Sequence, residues 1–348
     1  MNILILYTEL AGYIKVSLEY FARQNPQFHI HLVVYPVNDE APFDFQFSQA
    51  FTVYNRKQYT ANQLIELEKA IQPQAILCSG WIDKGYLAVC SQSKAPIKTL
   101  VFDTLWAASL KQRALQILAP VFILSRFNRC WVPGQPQKQY ALKLGFKDNQ
   151  IYTGFYCGDT LTFESFQSHP PLNNNKKLLC VARYIPQKNL EFLWHCFLNS
   201  NLVLQNQGWE LWCVGTGALF ENRTLAHQIK HFGFIQPHDL KPFVQQCDYF
   251  VLPSLFEPWG VVVHEFAAAG MPLILSNQVG AASQFLIPTQ NGFAFNPNKP
   301  QELIQIFNAL PSIPPQTYQS MSQLSVQQAQ SVSLKQWAQN ALSLIMNQ

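Results

Sequence analysis

Apolar residues in this chain fall in short, nearly unbroken runs, separated by stretches of helical spacing. The first series is NILILYT at 2–8, HIHLVVY at 29–35, AILCSG at 75–80, KTLVFD at 98–103, CWVPG at 130–134 and IYTGF at 151–155. The second is KLLCVAR at 177–183, WELWCVG at 209–215, KHFGF at 230–234, DYFVLPS at 248–254, PLILSN at 272–277 and GFAF at 292–295. Continuous rather than alternating apolar runs mark parallel strands buried on both faces. Helical stretches, such as 14–23, lie between them. Strand and helix in alternation build βαβ units and doubly wound sheets. The predicted fold is α/β, with two Rossmann-like doubly wound parallel-sheet domains facing across a cleft. A polar stretch, ESFQSHPPLNNNKK at 164–177, is the strongest linker signal. It predicts a first domain over 1–165 and a second over 166–330. The segment 331–348 has helical spacing and could pack on either domain, including back on the first.

Composition supports two cores. The chain has 348 residues, beyond the ~250–300 at which a single core stops growing. It is 48% hydrophobic and 13% charged, the reverse of a disordered chain. No apolar run approaches the ~20 residues of a bilayer crossing. The N-terminus has no basic n-region or cleavage site, so it reads as a strand and not as a signal peptide. Eight cysteines form no Cys-x-x-Cys and several sit in apolar runs, which reads as small core residues in a reducing cytosol rather than a metal or disulfide framework.

The net charge of +4 is unevenly spread: residues 1–150 carry +5 and 151–348 carry −1. Residues 104–147 hold Lys111, Arg113, Arg126, Arg129, Lys138, Lys143 and Lys147 and no acidic residue. That run is either a solvated face or a surface for anionic lipid or an anionic acceptor. It lacks the aromatic interleaving of a nucleic-acid site.

The most informative stretch is 248–277. A strand ends at Pro253, the loop SLFEPWG follows, and a helix begins near Gly260. Free amides of Gly260, Val261 and Val262 at the helix start suit an anionic or hydroxyl-rich ligand. Glu257 in the loop could accept hydrogen bonds from sugar hydroxyls. Glu265, two turns into the helix, could reach a ribose diol.

The segment EPWGVVVHE at 257–265 resembles the Glu-x7-Glu hallmark of family 4 of the retaining glycosyltransferases of GT-B fold (glycosyl transferases group 1). LCVARYIPQKNLEFL at 179–193 is similar to that family's Arg…Lys element, VGTG at 214–217 to its Gly-x-Gly turn, and the segment 232–254 to the stretch that frames the base. VPGQPQKQYALKLGFKDNQIYTGFYCGD at 132–159 is similar to the close of the acceptor domain, and TELAGYIKVSLEYFA at 8–22 to the first loop and helix.

The resemblance implies an acceptor-side first domain and a donor-binding second domain. It implies that Arg183 and Lys188 hold the donor diphosphate, with Gly260 and Val261 at the helix start. It implies that Glu265, Phe234 and Gly215 lie at the nucleoside and that Glu257 binds the sugar. A departing diphosphate gathers negative charge and needs positive groups or dipoles to meet it. The sequence has no Asp-x-Asp, so Arg183 and Lys188 would replace a metal; no metal and no cofactor is expected, the nucleotide-sugar being a substrate. Gly12, just beyond the first strand, either lets backbone amides approach a phosphate or is a plain turn.

Asp103 ends the strand at 98–103, where the family often has His. It could orient the acceptor hydroxyl, bind the sugar or cap the next helix. Trp81, Asp83 and Trp106 are acceptor-side candidates or core and rim residues. His29 and His31 lie in an apolar strand, and His264 turns away from Glu265 and reads as structural.

The resulting expectation is a cytoplasmic hexosyl transferase, retaining, with front-face departure of the donor diphosphate. Its acceptor by family is a polysaccharide or glycolipid. Its partners are a nucleotide-sugar, that acceptor and an anionic membrane surface at the inner face, with no nucleic acid. The rival readings are a nucleotide-sugar epimerase of the same fold, a catalytically silent nucleotide-sugar-binding subunit, and a nicotinamide oxidoreductase, the last lacking G-x-G-x-x-G.

Overall fold

The computed structural model describes residues 1–37, 43, 45–166 and 176–346. Most of the stretch expected to be a linker, residues 167–175, lies outside the described residues. The chain forms two compact units. Of the described residues, the first takes in those through Cys157 and from Leu334 onward, and the second those from Gly158 to Ser333.

The first unit holds strands β1 (Asn2–Tyr7), β2 (His29–Val34), β3 (Phe51–Asn55), β4 (Ala75–Ser79), β5 (Ile97–Val101), β6 (Arg129–Trp131) and β7 (Ile151–Tyr152). All pair in parallel, in the order β3-β2-β1-β4-β5-β6-β7. Six of the seven are the continuous apolar runs of the sequence. The seventh, β3, is an edge strand whose residues alternate in exposure, so FTVYN carries no unbroken apolar signal. It is held partly by side chains: His29 Nε2 meets Thr52 Oγ1 at 2.8 Å and His31 Nδ1 meets Tyr54 Oη at 3.0 Å.

Helix Leu334–Met346 belongs to this unit. Its apolar face (Leu334, Trp337, Ala338, Ala341, Leu344 and Ile345) is buried, and it packs on helix Gly12–Gln24. Trp337 lies against Trp131, with ring centroids 5.0 Å apart, and donates its indole N–H to the Phe155 carbonyl at 2.6 Å. Arg129 donates to the Leu344 carbonyl at the helix end, where a cation complements the dipole.

The second unit holds β8 (Lys177–Val181), β9 (Glu210–Val214), β10 (Ile229–His231), β11 (Tyr249–Leu252), β12 (Leu273–Ser276) and β13 (Gly292–Phe295). They too are all parallel, ordered β10-β9-β8-β11-β12-β13. In each sheet the connection reverses beside the first strand, between β1 and β4 and between β8 and β11. Doubly wound sheets bind ligands at the carboxyl edge of such a switch point. All eight cysteines are buried; Cys180 and Cys213 stand in register on β8 and β9 inside the second core.

Candidate active site

The switch point of the second sheet is built from two loops, 182–189 after β8 and 253–260 after β11. Backbone and amide bonds lace them together. Leu255 N–H donates to the Gln187 carbonyl at 2.9 Å, and Gln187 Nε2 to the Phe256 carbonyl at 2.6 Å. Asn189, in the left-handed conformation at φ 57° that starts helix Leu190–Leu198, donates to the Pro253 carbonyl at 3.3 Å. The side chains complete the link: Lys188 Nζ donates to Glu257 Oε2, and both groups are largely buried.

Glu257 is fixed on every side. Its N–H donates to the Gln278 carbonyl at 3.0 Å, its carbonyl accepts from Gly280 N–H at 2.9 Å, and Ser254 Oγ donates to Oε2 at 3.3 Å. Ser254 is in turn held by Ser276 Oγ through its carbonyl at 2.7 Å. Two glycines make this packing possible. Gly260 has φ +88°, and a Cβ there would stand 2.9 Å from Glu257 Cγ; a Cβ on Gly280 would stand 2.1 Å from the Pro258 carbonyl oxygen. Gly260 starts helix Val261–Ala268, which has no side-chain cap. Its first N–H groups therefore stay at the same edge as Glu257 and Lys188. Arg183 follows β8 by two residues and shares that edge.

Glu265 lies one turn further along the helix. Burial pushes its carboxyl up to about 8, against the Asp159 N–H that donates to Oε1 at 3.4 Å, with the Asp159 charge adding to the rise. Gly158 gives it room, since a Cβ there would stand 2.8 Å from Glu265 Cγ. The neighbouring His264 has a separate task. Its Nδ1 accepts from Gly158 N–H at 3.0 Å and its Nε2 meets the Ala329 carbonyl at 2.9 Å. Those partners require the neutral ring with hydrogen on Nε2, and burial lowers its pKa to about 4.

Gly215, at φ +134°, lets the loop after β9 lie on the loop after β8: a Cβ would strike the Ala182 carbonyl oxygen at 2.0 Å. Its N–H is engaged by the Gly233 carbonyl at 2.6 Å. Gly215 thus shapes the edge by backbone fit and has no amide to offer a nucleoside. Phe234 follows β10 immediately after that contact, half-buried.

In the first unit, Asp103 follows β5 and joins a tyrosine cluster. Tyr156 Oη donates to Asp103 Oδ2 at 3.2 Å, Tyr7 bonds Tyr156, and the Tyr13 ring meets Tyr156 edge-on at 5.3 Å. Burial raises the Tyr7 and Tyr156 pKa values well above normal. The next helix is capped by Ser109, whose Oγ accepts from Gln112 N–H at 3.3 Å, and not by Asp103; Gln137 Nε2 donates to the Asp103 carbonyl at 3.2 Å. Gly12 opens helix Gly12–Gln24, whose N-cap Ala11 has no side-chain cap bond.

Asp83 has a structural role. Oδ2 accepts from Arg56 Nε at 2.8 Å and Tyr35 Oη at 2.6 Å, and Oδ1 from Arg56 Nη2 at 3.0 Å and Tyr86 N–H at 2.9 Å. Those four bonds fill a carboxylate's acceptor sites and leave none for an acceptor substrate. Burial would raise its pKa; Arg56, Tyr35 and the Tyr86 N–H overcome that and hold it below the usual range. Trp81 and Trp106 are half-buried and meet Tyr140 at 6.2 and 5.3 Å. Ser254, Asn189, Asp159 and the tyrosines around Asp103 carried no sequence signal; their roles come from pairings far apart in the chain.

Comparison with known proteins agrees with this geometry. Residues 162–325 match the family model for Glycosyl transferases group 1. An uncharacterized glycosyltransferase of Methanocaldococcus jannaschii is 27% identical over 138 residues, 38% of this chain and 34% of that protein. Glycogen synthase of Mycobacterium tuberculosis is 38% identical over 65 residues, 19% of this chain and 16% of the synthase. The matched segment thus spans about a third or less of these curated relatives. Among solved structures, Anabaena HepE in complex with UDP and glucose aligns with a TM-score of 0.76 at 14% identity, over 100% of this chain and 99% of HepE. Sucrose-phosphate synthase from Thermosynechococcus elongatus aligns with a TM-score of 0.73 at 16% identity, over 99% and 97%. The chain therefore has the GT-B fold of two Rossmann-like domains, and the match to the glycosyl transferases group 1 model falls in its second unit.

Proposed function

We propose that this protein transfers a hexosyl group from a nucleoside-diphosphate sugar to an acceptor hydroxyl, with retention of configuration and without a metal. The observation that carries this reading is the joining of Lys188 to Glu257 across the two loops of the switch point, beside the start of helix Val261–Ala268. This edge offers a point charge and oriented N–H groups to a diphosphate, and a fixed carboxylate to sugar hydroxyls. Arg183 adds a planar fork suited to phosphate oxygens. Glu265 takes the ribose diol.

In the reaction, the bond from the anomeric carbon to the diphosphate oxygen breaks while the acceptor oxygen bonds that carbon on the same face. The acceptor proton passes to the departing phosphate oxygen. Arg183, Lys188 and the helix amides meet the charge that gathers there, the work a metal does where Asp-x-Asp is present. Glu257 orients the sugar and forms no covalent intermediate. The acceptor is a polysaccharide or glycolipid, met in the cytoplasm at the inner face of the membrane. The HepE structure, which holds UDP and glucose, supports a nucleotide-sugar donor.

A thermal-shift panel of nucleotide sugars, followed by donor hydrolysis in EDTA, tests the reading. A bound donor at a hundredfold excess over Kd adds about 2.7 kcal/mol of stability. Hydrolysis that survives chelation is the expected result. Binding without turnover, with any acceptor, would make the protein a silent subunit; activity restored only by Mn²⁺ or Mg²⁺ would overturn the metal-free step.

A further inference from the structure

Helix Leu110–Phe122 of the first unit turns its apolar side outward. Leu110, Ile117 and Val121 are 85%, 79% and 76% exposed, and Leu118 is 58% exposed. Among its residues only Ala119 is buried; Leu115 and Phe122 rest on the first core beside it. At 3.6 residues per turn, Leu110, Ala114, Ile117 and Val121 fall on one line, opposite Ala119. Lys111 lies on one flank of that line and Arg113 on the other.

The basic run of 104–147 is narrower in space than in sequence. Lys138 pairs with Asp148 at 2.6 Å, and Lys143 sits 5.2 Å from the centre of the Trp106 ring. Arg126 donates to the Val121 and Phe122 carbonyls, and Arg129 to that of Leu344. Lys111 and Arg113 are exposed beside the apolar line. The exposed cations nearest the apolar row are thus Lys111 and Arg113, one on each side.

We infer that this helix is a membrane-docking element that lies in the plane of an anionic bilayer. Three large apolar side chains exposed in one row, with Leu118 beside them, are an interaction site and not scattered surface residues. A helix that inserts one face in the interface needs that row, with Lys or Arg at its borders reaching up to lipid phosphates. The absence of any acidic residue from 104–147 fits an anionic surface. No described helix is long and apolar enough to span a membrane, so the contact is peripheral. The inference deepens the proposed glycolipid acceptor and rests on that reading only for its purpose.

The test is co-sedimentation of the full chain with vesicles of phosphatidylcholine alone or with phosphatidylglycerol. Wild type is expected to bind the anionic vesicles, and Ile117→Ser/Val121→Ser to bind at least about tenfold more weakly. Lys111→Ala/Arg113→Ala should lose the preference for anionic lipid. An Ile117→Trp reporter should shift its emission to the blue on anionic vesicles. Undiminished binding by the serine variant, or no binding by wild type, would overturn the inference. So would a wild-type dimer in light scattering that the serine variant abolishes, which would assign the row to a second copy. The serine variant should keep the thermal shift of wild type with nucleotide-sugar, which separates failure here from failure of the transfer reading.

Discussion

Lys188 and Glu257 are 69 residues apart in the chain, yet Lys188 Nζ donates to Glu257 Oε2 and ties the loop after β8 to the loop after β11. An ammonium has three donors, so Lys188 can keep Glu257 and still meet a phosphate oxygen. Lys188→Ala should therefore act twice, weakening diphosphate binding and lowering the melting temperature. Removing one partner of a buried pair costs up to ~3–5 kcal/mol, and less where some water reaches it, as here. Lys188→Ala/Glu257→Ala should recover part of the lost stability but none of the turnover. Melting curves and donor kinetics on the two singles and the double decide it; additive losses of stability would mean the residues do not interact.

The glycines around Glu257 give a ranking. Gly260→Ala places a side chain at φ +88°, which costs about 1–3 kcal/mol. Its Cβ also crowds Glu257 Cγ, a side-chain atom that can shift, so turnover should fall more than the stability loss alone explains. Gly280→Ala meets the Pro258 carbonyl, part of the backbone, at 2.1 Å. It should destabilise more than Gly260→Ala. The reverse order in urea unfolding would contradict the packing described for this loop.

His264 sets an acid limit on stability. Its folded pKa, about 4, lies below the ordinary 6.5, so the unfolded chain binds the extra proton first. The contribution is complete above pH 6.5 and is lost as pH falls through 4, a change of about 3 kcal/mol. Asp248, raised by burial to about 7, has the opposite sign: its contribution is present below its unfolded value and is lost as pH rises through 7. The difference between wild type and a variant isolates the imidazole. His264→Gln keeps an acceptor for Gly158 N–H and a donor for Ala329, and cannot charge. Its melting temperature should fall less than that of wild type between pH 6.5 and 4; parallel curves would remove His264 from the account.

Twelve of the thirteen described strands were legible as apolar runs, the central ones because a strand buried on both faces must be apolar throughout, whichever way the chain runs. Edge strand β3 was not, since only one of its faces meets the core and Val53 is exposed. Glu257 and Glu265 were legible by their fixed spacing along one loop and helix. The partners that define their chemistry, Lys188 for one and the Asp159 N–H for the other, come from distant segments that only the sheet topology brings together. Asp83 looked like a site residue because it follows a strand at the carboxyl edge. Arg56 and Tyr35, which engage it, sit on or beside other strands. The apolar row of helix Leu110–Phe122 has helical spacing in the sequence, but an amphipathic helix does not announce which face the core will take.

The proposed place of Glu265 at the ribose predicts pH-dependent nucleotide binding. With its carboxyl raised to about 8 by burial, most of it is protonated at neutral pH in the unliganded protein. Ribose hydroxyls donate hydrogen bonds, so the ionised carboxylate is the better acceptor for a diol, and a charged acceptor roughly doubles the strength of such bonds. Binding that selects the ionised form must release a proton, and affinity then rises with pH until the group is ionised without help. Between pH 6.5 and 8.5 the ionised fraction climbs from a few per cent to most of the population. A nucleoside diphosphate should accordingly bind on the order of tenfold tighter at the upper pH. Glu265→Gln is neutral throughout and should lose this rise, keeping only the pH dependence that the ligand's own phosphate brings. Isothermal titration at several pH values, in buffers of different ionisation enthalpy, reads both the affinity and the released proton. A wild-type profile that overlays that of Glu265→Gln, with no proton released, would place the ribose elsewhere on this edge.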